Sequence, residues 1–210
     1  MINVIIADDH PVVRRGLKDI LSSASDITVK GEASNGKELL EFLKAEDVDV
    51  ILLDITMPQM DGLEAIGRIK TEYPEVAVLV LSMNPEEIFG LRALKLGASG
   101  YLNKDSAPEQ LVSAIHRVAS GKVFVSPLLA DTLATHMSKG TASLPHERLS
   151  NREYQVMIMI ARGESLKQIA NELSLSVKTI STHRFNILQK MKLENNAQIV
   201  SYALQNGLLS

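Results

Sequence analysis

Short apolar runs alternate with helical patterns along residues 1–119. Five segments of four to seven residues predict strands, at 3–7, 27–33, 50–53, 76–81 and 99–102, and those at 50–53 and 76–81 consist entirely of apolar residues. Apolar residues at three- and four-residue spacing predict a helix after each strand, over 12–24, 36–46, 63–72, 86–96 and 108–119. Five such strand–helix units predict an α/β fold with a doubly wound, five-stranded parallel sheet covered by helices on both faces.

Residues 120–148 have a different character because Gly and Pro interrupt them repeatedly. The interruptions are Gly121, Pro127, Gly140 and Pro145. They predict a linker over 121–148 with one short helix, over 128–137. From residue 149 onward the pattern predicts only helices, over 151–162, 165–173, 177–191 and 196–206. We therefore expect an α/β domain over 1–120, the linker, and a small all-α domain of four helices over 149–210.

Composition excludes several classes of protein. Hydrophobic residues make up 45% of the 210 residues, which is ample for a packed core. The chain has no cysteine, which excludes a disulfide framework and a thiolate metal site. The longest apolar runs have six residues, far fewer than the roughly 20 that span a bilayer, and no signal-peptide pattern is present. We expect a soluble, cytoplasmic protein with no membrane partner.

Charge is distributed unevenly along the chain, although the net charge is only −3. Residues 149–210 carry seven Lys or Arg and four Glu, a net charge of +3. This leaves 15 of the 22 basic and 21 of the 25 acidic side chains in residues 1–148, a net charge of −6. Such an asymmetry predicts two domains with different partners. The basic part favours nucleic-acid binding without establishing it.

Polar residues follow four of the five predicted strands. They are Asp8 and Asp9 after the first, Asp54 after the third, Ser82 after the fourth and Lys104 after the fifth. The carboxyl ends of parallel strands share one edge of the sheet, so these side chains converge. Three close carboxylates raise at least one pKa unless a cation lies between them. A Mg²⁺ ion, which takes oxygen ligands and keeps part of its water shell, is the natural cofactor.

Phosphoryl transfer is the chemistry that this set of residues suits. Lys104 and Ser82 can hold the phosphoryl oxygens while the Asp54 carboxylate attacks phosphorus. Each residue also has an ordinary structural explanation. The aspartates could cap helices, Lys104 could be a surface charge, and Ser82 could be a strand-end hydroxyl. The occurrence of all five at four strand ends favours a site.

The motifs around these residues resemble those of the receiver domain of bacterial two-component response regulators. They are Asp8-Asp9, Asp54 with Met57-Pro58 and Asp61-Gly62, Ser82, and residues 97–104, GASGYLNK. The resemblance implies that Asp54 accepts a phosphoryl group from a histidine kinase. It implies Mg²⁺ ligands at Asp9, Asp54 and the Thr56 backbone carbonyl, with Asp8 acting through water. It also implies that Ser82 and Tyr101 form a switch pair and that Lys104 binds the phosphoryl group.

Two residues depart from the commonest receiver pattern. Met83 follows Ser82 where a small residue is usual, and we expect it to narrow access to the phosphoryl group. Asp105 follows Lys104 where many receivers have proline, so the cis peptide bond often found there is not assured. Both departures bear on the rates of phosphorylation and dephosphorylation rather than on the presence of the site.

The third helix of the all-α domain has two distinct faces. Its predicted buried face consists of Val177, Ile180, Ile187, Leu188 and Met191. Its predicted outer face consists of Lys178, Ser181, Thr182, Phe185 and Gln189. A tight turn joins it to the preceding helix, which is typical of a helix-turn-helix whose second helix reads DNA. An ordinary helical bundle with a polar face is the alternative, and an outward aromatic residue disfavours it because Phe185 can contact a thymine methyl group.

The sequence motifs of this domain resemble the LuxR-type helix-turn-helix, and the whole chain resembles the NarL/FixJ family. The matching stretches are 149–153, LSNRE, 160–163, IARG, 169–173, IANEL, and 178–183, KTISTH. The resemblance implies that Ser181, Thr182 and Phe185 face bases in the major groove. Lys178, His183 and Arg184 are candidates for phosphate contacts. Lysine is common among relatives at positions 181 and 185, so we expect a different base preference here.

The last predicted helix carries small and apolar residues at helical spacing, namely Ala197, Val200, Ala203 and Leu204. This set could pack on its own domain, whereas the family resemblance favours a homodimer contact on DNA. A symmetric dimer implies inverted half-sites about one helical turn apart.

These features together predict a phosphorylation-controlled DNA-binding transcription regulator rather than an enzyme. One alternative is an aspartyl-phosphate hydrolase, but such enzymes carry a second aspartate two residues after the nucleophile, where this chain has Thr56. The other is an interaction module that works without phosphate, which the complete set of acidic, hydroxyl and lysine residues disfavours.

Overall fold

The computed structural model describes residues 1–106, 108–138 and 144–209. Two compact units account for them, Met1–Ala134 and Thr135–Ser210. The first unit contains the acidic strand ends, and the second contains the basic helices.

A five-stranded parallel sheet forms the centre of the first unit, as predicted. Its strands are β1 (Ile2–Ala7), β2 (Ile27–Ala33), β3 (Val50–Leu53), β4 (Ala77–Ser82) and β5 (Gly100–Asn103). They lie in the order β2-β1-β3-β4-β5. All four residues of β3 are buried, which explains why its sequence shows no alternation of apolar and polar residues. The order places the carboxyl ends of β1, β3, β4 and β5 side by side.

Among the described residues, five α-helices lie wholly in this unit, and a sixth begins in it and ends beyond its boundary at Ala134. They are α1 (Pro11–Ser22), α2 (Gly36–Leu43), α3 (Gly62–Glu72), α4 (Glu86–Lys95), α5 (Pro108–Ala119) and α6 (Pro127–Ser138). Side-chain caps fix the starts of two of them: Asn35 accepts the backbone N–H groups of Lys37 and Glu38, and Asp61 accepts that of Glu64. The predicted elements are all present, with ends that differ by at most three residues.

The segment after α5 packs on the first unit, which extends that unit beyond the predicted boundary at residue 120. Phe124 pairs with the edge strand β5: its N–H donates to the Ser99 carbonyl at 2.9 Å, and its carbonyl accepts from the Tyr101 N–H at 3.2 Å. Leu129 of α6 is completely buried, and the Ser126 hydroxyl hydrogen-bonds the Glu86 carboxylate of α4. An edge strand has backbone groups left over from its sheet, and this segment satisfies two of them.

The second unit consists of helices, as predicted. A 3-10 turn (Pro145–Arg148) precedes α7 (Asn151–Ala161), α8 (Leu166–Glu172), α9 (Val177–Met191) and α10 (Asn196–Gln205). Each α-helix begins with a polar side chain that accepts a backbone N–H of its first turn, and these residues are Ser150, Ser165, Ser176 and Asn195. Ser150 and Glu153 form a capping box at the start of α7. Lys190 of α9 binds the buried Glu153 carboxylate at 2.6 Å, which ties α9 to α7.

Candidate functional site

The strand-end side chains meet at one edge of the sheet. Asp8 is 2% exposed, Asp54 is 4% exposed and Ser82 is completely buried. The Lys104 ammonium lies between two carboxylates, 2.6 Å from Asp8 Oδ2 and 2.8 Å from Asp54 Oδ2. The structure therefore brings Asp8, Asp54 and Lys104 into direct contact, as their positions at the strand ends predicted.

The loop after β3 is wrapped tightly around the Asp54 backbone. The Gly62 N–H donates to the Ile55 carbonyl at 2.9 Å, and a Cβ at residue 62 would lie 2.1 Å from the Asp54 carbonyl oxygen. Only glycine fits such an approach. Gln59 takes the left-handed conformation, with φ of 63°, which turns the chain back toward α3. The motif that sequence reasoning singled out thus holds the Asp54 backbone in place.

Burial controls the acidity of Asp54. Desolvation raises its pKa from the ordinary 3.8 to about 6, with a smaller contribution from the charge of Asp8, while Lys104 and the Thr56 N–H act in the opposite direction. Burial alone would lower the pKa of Lys104, but the carboxylates of Asp54 and Asp8 together hold that pKa above its usual value. At neutral pH most of the Asp54 population is an ionised carboxylate, which is the nucleophilic form.

Four side chains form a group that could hold a metal ion. Ligand atoms of Asp8, Asp9, His10 and Asp54 all lie within 4.8 Å of one another. Asp9 Oδ1 is buried and accepts no hydrogen bond from the described residues, although His10 Nδ1 lies 2.7 Å away. A buried carboxylate oxygen without a hydrogen bond calls for a cation, so the three aspartates fit Mg²⁺. Sequence reasoning missed His10, although it directly follows the aspartate pair.

A hydroxyl network adjoins the acidic group. The Asn84 side-chain amide donates to Ser82 Oγ at 3.2 Å and to Thr56 Oγ1 at 3.3 Å, and its backbone N–H donates to Ser82 Oγ at 3.1 Å. Tyr101 is 1% exposed, and its hydroxyl donates to the Asn84 carbonyl at 2.8 Å. Asn84 therefore links both members of the predicted switch pair. It gave no signal in the sequence, because it lies in a loop without a recognised motif.

The two departures from the receiver pattern have different surroundings. The Met83 side chain is 62% exposed beside the buried Ser82, and its predicted effect on access stays a prediction. Asp105 donates its backbone N–H to Asn103 Oδ1 at 2.9 Å, and the described residues contain no cis peptide bond.

In the second unit, the outer face of α9 is exposed as predicted. Its exposed residues are Lys178, Ser181, Thr182, Phe185 and Gln189. Phe185 is 60% exposed, which is unusual for an aromatic side chain on a helix with a core face. Ile180, Ile187, Leu188 and Met191 are buried. Val177 was predicted to join them, but it is 46% exposed; as the first residue of α9 it lies at the end of the buried stripe.

The three candidates for phosphate contacts differ in their surroundings. Lys178 is exposed, whereas Arg184 is half-buried and donates from Nε to Asn196 Oδ1 of α10 at 2.6 Å. His183 is also half-buried, and burial, followed by the nearby charge of Arg152, lowers its pKa. Of these three residues, Lys178 alone is exposed, while Arg184 joins α9 to α10.

The predicted dimer surface on α10 is partly wrong. Ala203 is completely buried within its own unit, because it faces the core together with Ile199. Leu204 is 63% exposed, Ala197 is exposed and Val200 is half-buried. The remaining apolar surface of α10 is therefore smaller than the sequence pattern indicated. Within the described ranges, no helix is long and apolar enough to cross a membrane.

Comparison with known families matches both units. Residues 4–116 match the response regulator receiver domain, and residues 147–203 match the family of bacterial regulatory proteins called luxR.

Two proteins are similar to this chain over nearly their whole length. The nitrate/nitrite response regulator NarL of Escherichia coli K12 is 37% identical over 207 residues, which cover 98% of this chain and 96% of NarL. The response regulator UvrY of the same strain is 34% identical over 209 residues, which cover 99% of this chain and 96% of UvrY.

A solved structure gives the same result. RcsB of Salmonella enterica serovar Typhimurium, bound to the promoter rprA in the presence of phosphomimetic BeF₃⁻, has a TM-score of 0.64 and 30% identity, covering 96% of this chain and 97% of that one. Each of these matches extends over nearly the whole length of both chains. The chain is therefore a two-component response regulator of the NarL/FixJ family, with a phosphorylatable receiver domain followed by a LuxR-type DNA-binding domain.

Proposed function

We propose that Asp54 accepts a phosphoryl group from a histidine kinase with Mg²⁺ and that this shifts the chain to a dimer that binds inverted-repeat DNA through α9. The observation that carries the first step is the placement of Lys104, 2.6 Å from Asp8 and 2.8 Å from Asp54. This cation, two buried carboxylates and a buried hydroxyl are the groups that phosphoryl transfer to a carboxylate requires.

The proposed reaction uses the Asp54 carboxylate as the nucleophile. A carboxylate oxygen forms a bond to phosphorus while the bond from phosphorus to the kinase's histidine nitrogen breaks, and the histidine takes a proton as it leaves. Lys104 stabilises the charge on the phosphoryl oxygens. Asp8, Asp9, Asp54 and the Thr56 carbonyl would hold Mg²⁺, which neutralises charge on the same oxygens.

The side chains around Asn84 provide a route from the phosphoryl group to the linker. Ser82 Oγ would turn toward the phosphoryl oxygens and give up its bonds with Asn84. Asn84 is also held by the Tyr101 hydroxyl, and the Tyr101 N–H is bonded to Phe124 at the start of the linker. A shift of this loop would therefore reach the segment that leads to the second domain.

DNA binding is proposed for the exposed face of α9. Ser181, Thr182 and Phe185 are exposed and can reach base edges, and Lys178 can contact a phosphate. His183 and Arg184 are weaker candidates for phosphate contacts, because they are half-buried. RcsB, a similar protein, is bound to promoter DNA in one structure, and in another two RcsB dimers are bound to DNA.

A homodimer contact is proposed for Ala197, Val200 and Leu204 of α10. Their exposed area is small, so we expect a weak contact that needs the phosphorylated receiver or DNA to form. As a further part of the proposal, the unphosphorylated receiver covers the recognition helix, and phosphorylation shifts the balance away from that arrangement. A regulator that binds chromosomal DNA acts in the cytoplasm.

Labelling with a small phosphodonor tests the first step. The full chain, the variant Asp54→Asn and the control Asp19→Asn, whose side chain is exposed, are incubated with Mg²⁺ and the donor. We expect wild type and the control to gain one acid-stable but base-labile phosphoryl group and Asp54→Asn to gain none. Equal labelling of all three would overturn the assignment of Asp54.

A further inference from the structure

The imidazole of His10 is directed toward the carboxylates of the acidic site. His10 is the N-cap residue of α1, yet its side chain caps no backbone N–H of that helix. Its Nδ1 lies 2.7 Å from Asp9 Oδ1 and 3.4 Å from Asp8 Oδ1. The backbone of the same residue is held in place, because the His10 N–H donates to Asp8 Oδ1 at 2.8 Å.

These distances suit two ligands of one metal ion. Metal–ligand bonds of about 2.1 Å place neighbouring ligands of an octahedral ion about 3 Å apart. The atoms His10 Nδ1 and Asp9 Oδ1 are close to that separation, and Asp9 Oδ1 has no hydrogen bond from the described residues. The His10 side chain is 65% exposed, so its ring can adjust to an incoming ion without disturbing the core.

We propose that His10 supplies a nitrogen ligand beside Asp9 to a transition ion such as Mn²⁺ or Zn²⁺, and so raises the affinity of the acidic site for these ions but not for Mg²⁺. The proposal rests on the metal site given under the proposed function. Magnesium prefers oxygen ligands and keeps several waters, whereas imidazole is a good ligand for zinc and other transition ions. The imidazole therefore adds affinity for a transition ion, while the carboxylates are sufficient for Mg²⁺.

A purely supporting role for His10 makes a different prediction. If its ring only donated a hydrogen bond to Asp9, it would orient the carboxylate for every ion alike. Loss of the ring would then weaken Mg²⁺, Mn²⁺ and Zn²⁺ to the same degree. The two roles are separated by measuring several ions on one variant.

The direct test uses Mn²⁺ as the probe on the full chain. Pulsed electron paramagnetic resonance of bound Mn²⁺ detects coupling to a ligating nitrogen, and labelling histidine with ¹⁵N identifies the nitrogen as imidazole. We expect this coupling in wild type and in the control His116→Gln, and none in His10→Gln. His116 is a matched control because it is a half-exposed histidine that pairs with Asp26 at 2.9 Å and lies on α5.

A competition measurement completes the test. Added Mg²⁺ or Zn²⁺ displaces bound Mn²⁺ into solution, where the amplitude of its electron paramagnetic resonance signal gives the concentration of free Mn²⁺. We expect His10→Gln to lower the affinity for Zn²⁺ by about tenfold or more and to leave the affinity for Mg²⁺ unchanged. Equal losses for all ions, or bound Mn²⁺ without imidazole coupling in wild type, would overturn the proposal. Phosphoryl labelling of Asp54 in the presence of Mg²⁺ is measured separately. The assignment of Asp54 as the phosphoacceptor can therefore hold even if His10 proves not to be a metal ligand.

Discussion

At the carboxyl ends of β1, β3 and β5 the polar side chains are buried and bound to one another, whereas along the outer face of α9 they are exposed to solvent. Lys104 contacts two carboxylates in the first region, while Lys178, Ser181 and Thr182 extend into water in the second. The charged groups of the acidic site therefore already contact one another within the chain. The α9 face gains a defined set of contacts only from a partner.

This difference has consequences for mutation and pH. A change in the acidic site alters charges that are already desolvated, so we expect effects on stability as well as on chemistry. A change on the outer face of α9 leaves the fold intact and alters binding alone. The predictions below test this contrast, from the largest expected effect to the smallest.

Substitutions at two positions of α9 test its core face and its outer face separately. Ile180 is completely buried, so Ile180→Ala is expected to lower the free energy of unfolding of the second unit by about 2–5 kcal/mol. Phe185 is 60% exposed, so Phe185→Ala is expected to change that free energy by no more than about 0.5 kcal/mol. Amide hydrogen exchange of α9 in the full chain measures both changes.

The affinity for DNA is expected to depend on Phe185, although this residue contributes little to the stability of the fold. Phe185→Ala should weaken binding to a selected site by about 1–3 kcal/mol, because one base contact is lost. A Phe185→Ala variant with unchanged affinity and unchanged base preference would remove Phe185 from the recognition surface.

Asp54 should make stability depend on pH in metal-free buffer. Burial raises its pKa from 3.8 to about 6, so the folded chain binds more protons than the unfolded chain between these values. Stability should therefore fall as pH rises through that window. At neutral pH, Asp54→Asn is expected to raise the free energy of unfolding by about 2–3 kcal/mol, and to have little effect near pH 4.

Denaturant unfolding in the presence of a chelator, at a series of pH values, measures this effect. Asp19→Asn is the control, because its side chain is exposed and should change stability by about 0.5 kcal/mol or less. A gain at Asp54→Asn that is equally large at pH 4 would show that the carboxylate's charge is not its cause.

Two glycines of α3 test how tightly the loop holds Asp54. A Cβ at Gly62 would lie 2.1 Å from the Asp54 carbonyl oxygen, whereas a Cβ at Gly67 meets no atom within 4 Å. Gly62→Ala should therefore destabilise the first unit by about 1–3 kcal/mol and slow labelling of Asp54. Gly67→Ala should stabilise it by about 0.5–1 kcal/mol, since Gly is disfavoured inside a helix. Thermal unfolding measures the change in stability, and the phosphodonor experiment measures the labelling rate. Similar results for Gly62→Ala and Gly67→Ala would contradict the close approach of Gly62 to the Asp54 carbonyl oxygen.

The smallest expected effect is that of one phosphate contact. Lys178→Gln should weaken binding to all DNA sequences and reduce the slope of log affinity against log salt by about one. Lys192→Gln is the control, because this exposed residue lies just beyond the opposite end of α9. Equal slopes for Lys178→Gln and wild type would exclude the contact.

The fold could be predicted from the sequence because each element carries a strong local signal. β3 is an uninterrupted apolar run, β4 is apolar up to its last residue, and Asp54 and Gly62 mark the loop that follows β3. The site could be predicted because parallel strands end at a common edge, so residues distant in the chain converge.

Contacts without a sequence pattern could not be predicted. Asn84 lies in a loop and hydrogen-bonds Ser82 through its backbone N–H and its side-chain amide. Phe124 hydrogen-bonds the backbone at β5 through its own backbone groups, so neither contact requires a recognisable sequence motif. On α10, Ala203 and Leu204 are adjacent in sequence, yet only burial in the assembled domain shows that the first faces the core and the second faces solvent. Spacing gives the direction of a face but not its width.

The central claim is that the state of Asp54 controls DNA binding by α9. The most direct measurement is the affinity of the full chain for a selected DNA site, with Mg²⁺, with and without a phosphodonor, for wild type and Asp54→Asn. We expect the donor to raise the affinity of wild type by about fivefold or more and to leave Asp54→Asn unchanged. The same increase in both proteins, or none in a wild-type chain shown to be phosphorylated, would contradict the account.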